Sequence, residues 1–386
     1  MSSQSCLETD RRGFLRGALA TSALLMITRS RTLATGLDAA RHFAPVKVSR
    51  DRVIREVVGL RPFRPGGFRV EAERVANKLL VHNYGHGGAG ITLSWGTASL
   101  ALDLVRDSLG PRASRPQRLA RQSRFAVLGC GVNGLSTARL LQRHFEGTVT
   151  IYAKDLPPET TSNIAGGLWS PTSVFDDTVA TTKFTEQFRL ACRISNRAFQ
   201  NLVGTEYGVR WIDTFELLRN EASLNRELTG GDDLYPAREI HRDPAHYFGF
   251  PYVKQFSTML IEPPVYLDAL LRDFYIAGGK LVVKEFRSRE EIKRLLEQVI
   301  FNCTGLGAGA LFGDQQLEPV RGQLEVLLPQ PEIDYCYLGG GYMFPRHDGI
   351  VLGGTWDHGD WSLTPKPEQT TAILNAHAEI MKALKE

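Results

Sequence analysis

Three glycines spaced as Gly-x-Gly-x-x-Gly are the residues of this 386-residue chain whose arrangement points most directly to a chemistry. Gly129, Gly131 and Gly134 follow an apolar strand predicted at residues 125–128 and open a helix predicted over residues 132–145. In such a turn the first glycine permits the tight bend, the second lets the backbone approach a pyrophosphate, and the third lets helix and strand pack closely. The amides at the start of the helix then face the phosphate charge. The motif predicts dinucleotide binding, and by itself it does not distinguish FAD from a nicotinamide cofactor.

A second glycine-rich segment precedes this motif in the chain. Residues 85–90 contain four glycines, and a helix is predicted from about residue 91 to residue 109. So many glycines indicate close approach to a flat ligand, or backbone dihedral angles that other residues avoid. A helix that begins at this loop would stabilise negative charge on a reduced ring, because its free amides carry partial positive charge. We interpret the neighbouring His82 and His86 as structural, since no carboxylate or second ligand lies at a diagnostic spacing.

The side chain of Arg61 is chemically suited to binding a carboxylate. A guanidinium donates two parallel hydrogen bonds to a carboxylate, which a lysine cannot do. Pro62 restrains Arg61 to an extended backbone, which suits a side chain presented from a strand. Arg64 and Arg69 are interpreted as surface residues. The sequence contains no recognisable Ser/His/Asp group or pair of catalytic carboxylates, so no catalytic acid or base is predicted.

Two stretches of sequence resemble the two ends of one known family, in the opposite order. Residues 124–138, RFAVLGCGVNGLSTA, resemble the opening strand, turn and helix of the D-amino-acid oxidase family, whereas residues 82–92, HNYGHGGAGIT, resemble its closing segment. Residues 160–171, 301–311 and 321–323 resemble further segments, and the match is weakest between residues 176 and 262. The resemblance implies an α/β fold in which a Rossmann-like FAD-binding domain and a mixed-sheet substrate domain are circularly permuted, with FAD as the cofactor.

The resemblance also implies which residues contact FAD. Hydroxyls and glycines after the nucleotide turn would contact phosphate, ribose or the flat ring, and the backbone near Phe286, on a strand predicted at residues 282–286, would contact the adenine. The strand predicted at residues 148–153 departs from the family pattern, because Lys154 and then Asp155 stand where a carboxylate normally binds the ribose. Either residue is a candidate for that contact. The predicted FAD contacts are Gly87, Gly90, Ile91, Thr92, Gly129, Cys130, Gly131, Val132, Asn133, Gly134, Lys154, Asp155, Thr160, Thr161, Ser162, Gly166, Gly167, Leu168, Phe286 and Thr304.

The same resemblance implies the substrate contacts and the reaction. Arg61 and the hydroxyl of Tyr342 would hold the carboxylate of a D-amino acid, and the carbonyl of Gly88 would accept a hydrogen bond from its amine. Tyr337 is the candidate for a second, more mobile tyrosine, and the glycines at 339–341 are expected to form a flexible lid. Hydride transfer from Cα to flavin N5 gives an imino acid, which water hydrolyses to a 2-oxo acid and ammonia. Dioxygen reoxidises the flavin and leaves as hydrogen peroxide.

The permuted order is compatible with the geometry of the chain. In the family order, residues 58–109 would follow the C-terminal helix, which is predicted at about residues 368–384. The former ends would be joined through a Pro-, Ser- and Arg-rich linker at residues 110–123, which spans about 45 Å when extended. Chain ends often lie close together, so permutation can be tolerated. We expect a site within a single chain; the alternatives are exchange of the early segment between two chains and a rearranged chain that is inactive.

The N-terminus resembles a twin-arginine export signal. Residues 10–16, DRRGFLR, precede an apolar run that is too short to span a bilayer. A periplasmic or secreted protein without stable membrane association is expected, or a cytoplasmic one if the signal does not function; an amphipathic helix is the alternative. The predicted organisation is a signal and spacer (1–45), the permuted segment (46–109), the linker (110–123), the FAD-binding domain in two parts (124–175 and 281–320), and the substrate domain (mainly 176–280, and 321–386 with the lid).

Composition limits the class of protein. Hydrophobic content of 42% and charged content of 23% are ordinary for a globular chain. A net charge of +4 is too small to indicate nucleic-acid binding. Five cysteines without a CxxC pair argue against a disulfide framework or a structural zinc site, and no metal is predicted.

Several functions remain open from sequence alone. The expected partners are a small D-amino acid and O2, and a homodimer is possible. D-aspartate would need a further cation, for which Arg346 and His347 lie near the predicted lid in sequence. Glycine or a secondary amine is also a candidate substrate. A nicotinamide-dependent dehydrogenase and a non-catalytic flavin-binding protein are the alternatives from other classes.

Overall fold

The computed structural model describes residues 43–109, 123–242 and 248–384. The predicted export signal lies outside these residues, as does the linker apart from Ser123. The strands are β1 (Val53–Phe63), β2 (Arg69–Val75), β3 (Lys78–Tyr84), β4 (Arg124–Leu128), β5 (Thr148–Ala153), β6 (Val209–Leu218), β7 (Glu239–His241), β8 (Tyr252–Ile261), β9 (Lys280–Val283), β10 (Val299–Asn302), β11 (Glu318–Leu327), β12 (Tyr335–Leu338), β13 (Tyr342–Arg346), β14 (Gly349–Gly353) and β15 (Asp357–His358). The α-helices are α1 (Gly90–Leu109), α2 (Val132–His144), α3 (Thr161–Ile164), α4 (Thr182–Gln200), α5 (Pro263–Ile276), α6 (Arg289–Lys293), α7 (Gly307–Phe312) and α8 (Pro367–Ala383).

One sheet has the parallel order expected for a nucleotide-binding fold. Its strands run β2-β3-β10-β4-β5-β9, all parallel except β2, which pairs antiparallel with β3. Strands β3 and β10 are buried throughout, as parallel strands are when helices cover both faces. Helix α2 buries Leu135, Ala138 and Leu141, which recur at helical spacing. The strand, turn, helix and strand predicted around the glycine motif are confirmed.

The second sheet is mixed. Its order is β1-β11-β14-β13-β12-β6-β8-β7, with β15 also paired to β11. Neighbouring strands are antiparallel except β12 and β6, which pair in parallel. The prediction of an α/β protein with a mixed second sheet is therefore confirmed.

The early part of the chain contributes to both sheets. Strand β1 pairs with β11 along its length, from Val53 opposite Leu327 to Phe63 opposite Glu318. Strand β3 pairs with β10, which in turn pairs with β4 of the glycine motif. The residues before position 110 are thus integrated into the core of the later ones.

One local prediction is corrected by the structure, and the segment predicted as a lid is located in the fold. The strand predicted at residues 282–286 is β9 and ends at Val283, so Phe286 lies in the following loop. The predicted lid at residues 339–341 is the turn of the hairpin between β12 and β13, and its glycines adopt φ values of 103°, 70° and 128°. A Cβ at Gly341 would lie 2.7 Å from Nε2 of His377 on α8, so this turn is packed against a helix. Among the described helices, none is long and apolar enough to cross a membrane.

Candidate active site

A cleft of about 1120 Å³ lies where the two sheets meet. It opens at the carboxyl ends of β4, β5 and β10, which is where open parallel sheets bind their ligands. Its volume exceeds the range of about 300–1000 Å³ for pockets that hold one small ligand. Residues of the early glycine-rich segment and of the later glycine motif both line it, within one chain.

The three glycines of the motif occupy three different environments. Gly129 has φ of 104°, and a Cβ there would lie 2.4 Å from the carbonyl oxygen of Cys303. A Cβ on Gly134 would lie 2.1 Å from the carbonyl oxygen of Gly129, so this glycine permits helix α2 to pack on the turn. Gly131 lines the cleft, with Ser162 as its near neighbour. The prediction that Gly134 contacts the cofactor is corrected: within the described chain it is a packing residue.

The start of α2 suits an anionic ligand. The N-cap residue is Gly131, which has no side chain to cap the helix, and the backbone amide of Val132 donates to Oγ of Ser162 at 3.0 Å. The amide oxygen of Asn133 is buried and has no hydrogen-bond partner among the described residues. Uncapped amides and the helix dipole attract phosphate. The turn therefore fits the pyrophosphate of a dinucleotide, and a hydroxyl-bearing ligand can satisfy Asn133.

The loops after β5 and β9 form another part of the cleft wall. Lys154 and Asp155 both line it, and their side chains are more than half exposed. Nζ of Lys154 lies 3.7 Å from Oδ2 of Asp155. Phe286 packs edge-on to Tyr152, with ring centroids 5.8 Å apart, and Lys284 lies 4.7 Å from the Phe286 ring. The aromatic rings suit a planar base. Lys154 and Asp155 remain equal candidates for the ribose contact.

The early glycine loop rests on the backbone near Ser173. The amide of Gly88 donates to the carbonyl oxygen of Ser173 at 3.0 Å. Gly87 has φ of 55°, and a Cβ there would lie 2.1 Å from the same oxygen. Gly90 and Thr92, at the start of α1, also line the cleft. The four glycines predicted that this loop lies close to another group. On one side the loop lies against the backbone at Ser173, and on the other side it lines the cleft.

His86 joins this loop to the nucleotide turn. Its Nδ1 accepts a hydrogen bond from the side-chain amide nitrogen of Asn133 at 3.2 Å. Its Nε2 lies 3.0 Å from the Thr97 hydroxyl. Because that hydroxyl donates to the carbonyl oxygen of Leu93, Nε2–H is the donor to Thr97. Burial lowers the pKa of His86 to about 3, so the ring is neutral. The interpretation of His86 as structural agrees with these contacts, and the structure adds that it lines the cleft.

His82 has a different position. Its ring is buried between Glu73 and Asn302. Its Nε2 lies 3.2 Å from Oε1 of Glu73, and its Nδ1 lies 3.0 Å from the side-chain nitrogen of Asn302. Burial, assisted by the charge of Arg69, lowers the pKa of His82 to about 4. Across the described residues there is no group of three or more His, Cys, Asp or Glu side chains that could hold a metal.

Arg61 lies in the part of the cleft formed by the mixed sheet. Its guanidinium donates to the carbonyl oxygen of Thr355 at 3.3 Å and to the hydroxyl of Tyr342 at 3.5 Å. The guanidinium carbon lies 4.7 Å from the centre of the Trp356 ring. A Cβ on Gly322 of β11 would lie 2.2 Å from a guanidinium nitrogen of Arg61. The absence of a side chain at Gly322 therefore makes the space that Arg61 occupies.

Tyr342 is placed beside Arg61 as predicted. Its ring stacks on Phe344, with centroids 4.9 Å apart, and a Cβ on Gly353 would lie 2.2 Å from the ring. Burial raises the pKa of Tyr342 above its ordinary value, although the charge of Arg61 acts in the opposite direction. The phenol is consequently protonated at neutral pH and can donate a hydrogen bond to a carboxylate.

Tyr337 is not part of the site, contrary to the prediction. It lies on β12, fully buried, and its hydroxyl bonds to Nδ1 of His377 on α8 while its ring packs against Phe248. Strand pairing of β12 with β6 and β13 fixes this orientation away from the cleft. Of the other predicted contacts, all except Gly134 line the cleft.

The structure also places four basic residues for which the sequence suggested a role near the substrate or a position at the surface. Arg346 bonds to Asp348 and to the carbonyl oxygen of Ala165, and His347 bonds to Glu262, so neither is directed at the cleft. Arg64 is not a surface residue, because its side chain is only 13% exposed and bonds to Asp314 at 2.9 Å. Arg69 is half-buried and donates to the Tyr84 hydroxyl at 3.2 Å.

Sequence reasoning missed several residues that line the cleft. The most important are Thr355, Trp356 and Trp361, which follow β14, together with Thr172 and Ser173. Thr355 and Trp356 have one sequence signal, their position shortly after the end of β14, since loops that follow strands often carry binding residues. No motif marks them.

Comparisons with known proteins agree with this geometry. Residues 27–104 and 124–386 match the family described as FAD dependent oxidoreductase, DAO. The chain is 30% identical over 274 residues to a D-amino acid oxidase of Dugesia ryukyuensis, covering 68% of this chain and 79% of that protein. It is 31% identical over 259 residues to a D-aspartate oxidase of Homo sapiens, covering 66% and 74%. The crystal structure of a glycine oxidase from Bacillus cereus ATCC 14579 has the same fold, with a TM-score of 0.52 and 17% identity over 68% of this chain and 79% of that one.

Proposed function

The chain belongs to the DAO family of FAD-dependent oxidoreductases, and on this premise we propose that it is a D-amino-acid oxidase. The reaction converts a D-amino acid, O2 and water to a 2-oxo acid, ammonia and hydrogen peroxide. The observation that carries the proposal is the meeting of Arg61 and Tyr342 in a cleft that also contains the nucleotide turn. A carboxylate-binding pair next to a dinucleotide cradle is the arrangement that amino-acid oxidation requires.

FAD is the cofactor, and the residues of the cleft fit it. The turn at Gly129 and Gly131, with the start of α2, would hold the pyrophosphate, and the loop near Phe286 would contact the adenine. The glycine loop at residues 87–90 and the start of α1 would lie against the flat ring. When bound, FAD supplies the acceptor for the substrate hydride and passes the electrons to O2.

The side chains of this protein bind and orient the substrate. The Arg61 guanidinium donates parallel hydrogen bonds to the carboxylate, and the protonated Tyr342 hydroxyl donates another. The carbonyl of Gly88 accepts a hydrogen bond from the amine. Three contacts around Cα fix the direction of its hydrogen, and such positioning is worth several orders of magnitude in rate. No side chain has to gain or lose a proton in this scheme.

The charge of the cleft favours a neutral substrate side chain over that of D-aspartate. Among the described residues that line the cleft, the Lys and Arg side chains besides Arg61 are Lys154, Lys284 and Arg287. They follow β5 and β9 of the parallel sheet, in the nucleotide part. An acidic side chain beside Arg61 would therefore lack a second cation. Glycine and secondary amines are smaller neutral alternatives.

Peroxide release from a panel of amino acids tests the proposal. The FAD-loaded protein should oxidise neutral D-amino acids with a primary amine faster than D-aspartate, glycine or the secondary amine D-proline, and L-enantiomers are the control. Absence of peroxide with every D-amino acid would reject the oxidase and leave a flavin-binding protein.

We also propose that the chain is a circular permutant of the family. About two thirds of this chain aligns with 79% and 74% of the length of the two relatives. Residues 124–386 make up the same share of the chain. The family match itself falls in two separate ranges. The amide of Val46 donates to the sulfur of Met381 at 3.2 Å, so the start of the early segment lies beside α8, where the family order would join them. These observations support the permutation.

We further propose export through the twin-arginine signal at the N-terminus. The residues that support it are Arg11 and Arg12 and the short apolar run after them. Cell fractionation of the double variant Arg11→Lys, Arg12→Lys decides the matter. The variant should accumulate in the cytoplasm at full length, and identical distribution of variant and wild type would reject export by this route.

A further inference from the structure

Arg321 on β11 is a buried arginine whose donors are all engaged. Its side chain is 0% exposed, although it lies next to Gly322 in the sequence and close to the cleft. A guanidinium carries five N–H groups. Nε donates to Ser362 at 3.0 Å, and the two terminal nitrogens donate to the four acceptors Asp357 (3.2 Å), Gln369 (2.6 Å), Gln323 (3.1 Å) and Thr364 (2.7 Å). Complete satisfaction of a buried cation makes this geometry specific for arginine.

Most of these acceptors belong to one stretch of chain. Asp357 and the carbonyl oxygens of Ser362 and Thr364 lie in residues 355–366, which we call the anchored segment. Its last residue, Lys366, donates its amide to Gln323 at 2.8 Å and its ammonium to Asp360 at 2.8 Å. The anchored segment, which contains the short strand β15, is thus tied to β11 and, through Gln369, to α8.

The anchored segment carries the groups that hold Arg61. The carbonyl oxygen of Thr355 accepts from Arg61, and Trp356 lies against the guanidinium face. The indole N–H of Trp356 donates to Nε2 of His358 at 2.8 Å, and Nδ1 of that ring donates to Glu318 at 2.9 Å. The orientation of Trp356 is therefore fixed by neighbours within the segment and on β11.

We propose that Arg321 is a positioning residue for substrate binding, which acts through the anchored segment to orient Arg61 toward the carboxylate. This inference rests on the proposed function, because it assigns Arg321 to the carboxylate part of that site. A long arginine side chain loses rotational freedom when it binds, and contacts that restrain it beforehand reduce that loss. Arg321 supplies the restraint indirectly, through a segment that also contributes Trp356 and Trp361 to the lining of the cleft. The carboxylate end of the substrate site is accordingly preformed.

The variant Arg321→Lys tests the proposal, because lysine retains the positive charge but lacks the planar guanidinium with its five donors. We expect the KM for a D-amino acid to rise about tenfold, with kcat changed less than twofold. The Kd for propanoate, a D-alanine analogue without the amine, should rise by the same factor when measured from the flavin absorbance. FAD affinity should remain at the wild-type value. Gln369→Leu, which removes one acceptor of Arg321 on α8, should give a smaller rise and serves if Arg321→Lys does not fold.

Two comparisons separate positioning from a general structural role. Arg139→Lys changes a half-buried arginine on α2 that does not line the cleft, and it should leave the propanoate Kd unchanged. In an Arg61→Ala background, Arg321→Lys should have no additional effect on propanoate binding. An unchanged propanoate Kd in Arg321→Lys, or an equal effect in the Arg61→Ala background, would overturn the inference.

The propanoate measurement needs no turnover, so it is distinct from the test of the proposed function. A wild-type protein that binds propanoate and releases no peroxide would refute the oxidase, while the variants would still decide the role of Arg321. A wild-type protein that neither binds propanoate nor releases peroxide would refute both, and one that releases peroxide without binding propanoate would refute the inference alone.

Discussion

Arg61 keeps free donors although the protein holds its side chain on several sides. Of the five N–H groups of a guanidinium, one bonds to Thr355 and one to Tyr342 within the described chain. Trp356 covers one face of the group without using a donor. The remaining N–H groups are available to a carboxylate. Restraint by neighbours together with unused donors is what distinguishes Arg61 from the satisfied Arg321.

Substitution of Arg61 should separate substrate binding from cofactor binding. Loss of two charge-assisted hydrogen bonds costs about 3 kcal/mol, which corresponds to roughly a hundredfold rise in KM for Arg61→Ala. Arg61→Lys should recover part of the charge and little of the paired geometry. FAD affinity, measured by flavin fluorescence, should stay within about twofold in both variants. A KM that is equal in Arg61→Ala and wild type would contradict the assignment.

His86 should make stability depend on pH. Its pKa is about 3 in the folded protein against an ordinary value of 6.5, so the unfolded chain binds a proton that the folded chain refuses between these values. Stability is therefore complete above pH 6.5 and falls by about 1.4 kcal/mol per pH unit below it, for this residue alone. Denaturant unfolding from pH 7 to pH 5 measures the slope.

The matched variant for this measurement is His86→Gln, which cannot take up the proton. Its stability should be lower at pH 7, because the bonds to Asn133 and Thr97 are weakened, and its slope below pH 6.5 should be smaller than that of wild type. His82 and His377, whose pKa values burial lowers to about 4, contribute to the slope that remains, as does His144, whose pKa burial also lowers. Equal slopes in the two proteins would show that His86 is protonated to the same extent in the folded and unfolded states.

At the scale of elements, strand pairing makes the space for the site. Strand β1 places Gly59 opposite Gly322 of β11, and β13 places Tyr342 opposite Gly353 of β14. In each pair a glycine leaves room for the neighbouring functional side chain. A shift of one residue in the register would put a side chain into that space and turn the functional group to the other face.

Gly322→Ala should therefore damage substrate binding without changing Arg61 itself. The new methyl group would lie 2.2 Å from the Arg61 guanidinium, which must move away from the position that binds the carboxylate. We expect KM to rise about tenfold or more, as for loss of roughly 1.4 kcal/mol of binding. Kinetics with a neutral D-amino acid provide the measurement.

The control for this variant is Gly309→Ala, in helix α7. A Cβ at Gly309 would be no closer than 3.6 Å to its neighbours, and alanine is favoured over glycine in helices by up to about 1 kcal/mol. KM should not change in this variant. A wild-type KM in Gly322→Ala would contradict the prediction, because it would mean that Arg61 can bind the carboxylate with a methyl group at position 322.

For the molecule as a whole, polar contacts join the early segment to residues more than two hundred positions later. Arg64 and the Tyr84 hydroxyl both bond to Asp314, at 2.9 Å and 2.7 Å, and Val46 contacts Met381. These contacts are partly or fully buried, where hydrogen bonds are costly to leave unmade. The early segment is therefore held in the core by these contacts as well as by its covalent attachment.

Restoring the order of the related proteins tests the permutation. A chain that begins at residue 123, runs to 384 and continues through a short flexible link to residues 44–109 should fold and bind FAD. Its free energy of unfolding should be within about 1 kcal/mol of wild type, because changing the length of a loop has a small entropic effect. FAD content should not depend on protein concentration in either chain, since one chain completes the site.

A control permutant with its new ends inside β10 should fail to fold, because it interrupts a buried strand of the parallel sheet. Failure of the restored order alone, with correct folding of wild type, would contradict the permutation.

The sequence by itself determined the parts that depend on neighbouring residues. The glycine turn, strands β4 and β5, and helices α1, α2 and α8 follow from apolar periodicity and glycine spacing, which act over a few residues. Arg61 and Tyr342 could be identified because each stands in a recognisable local segment. The role of Tyr337 was wrong, since the direction of a side chain on β12 depends on pairing with β6.

Only the tertiary structure decided which distant residues meet. Gly322 makes space for Arg61, Arg321 anchors the segment that carries Trp356, and His86 reaches Asn133, although 261, 35 and 47 positions separate the partners along the chain. No local pattern encodes these pairs, because they depend on strand register and on how one sheet is packed against another. The physical reason is that a hydrogen bond or a steric contact depends on distance in space, which sequence spacing does not fix beyond a few residues.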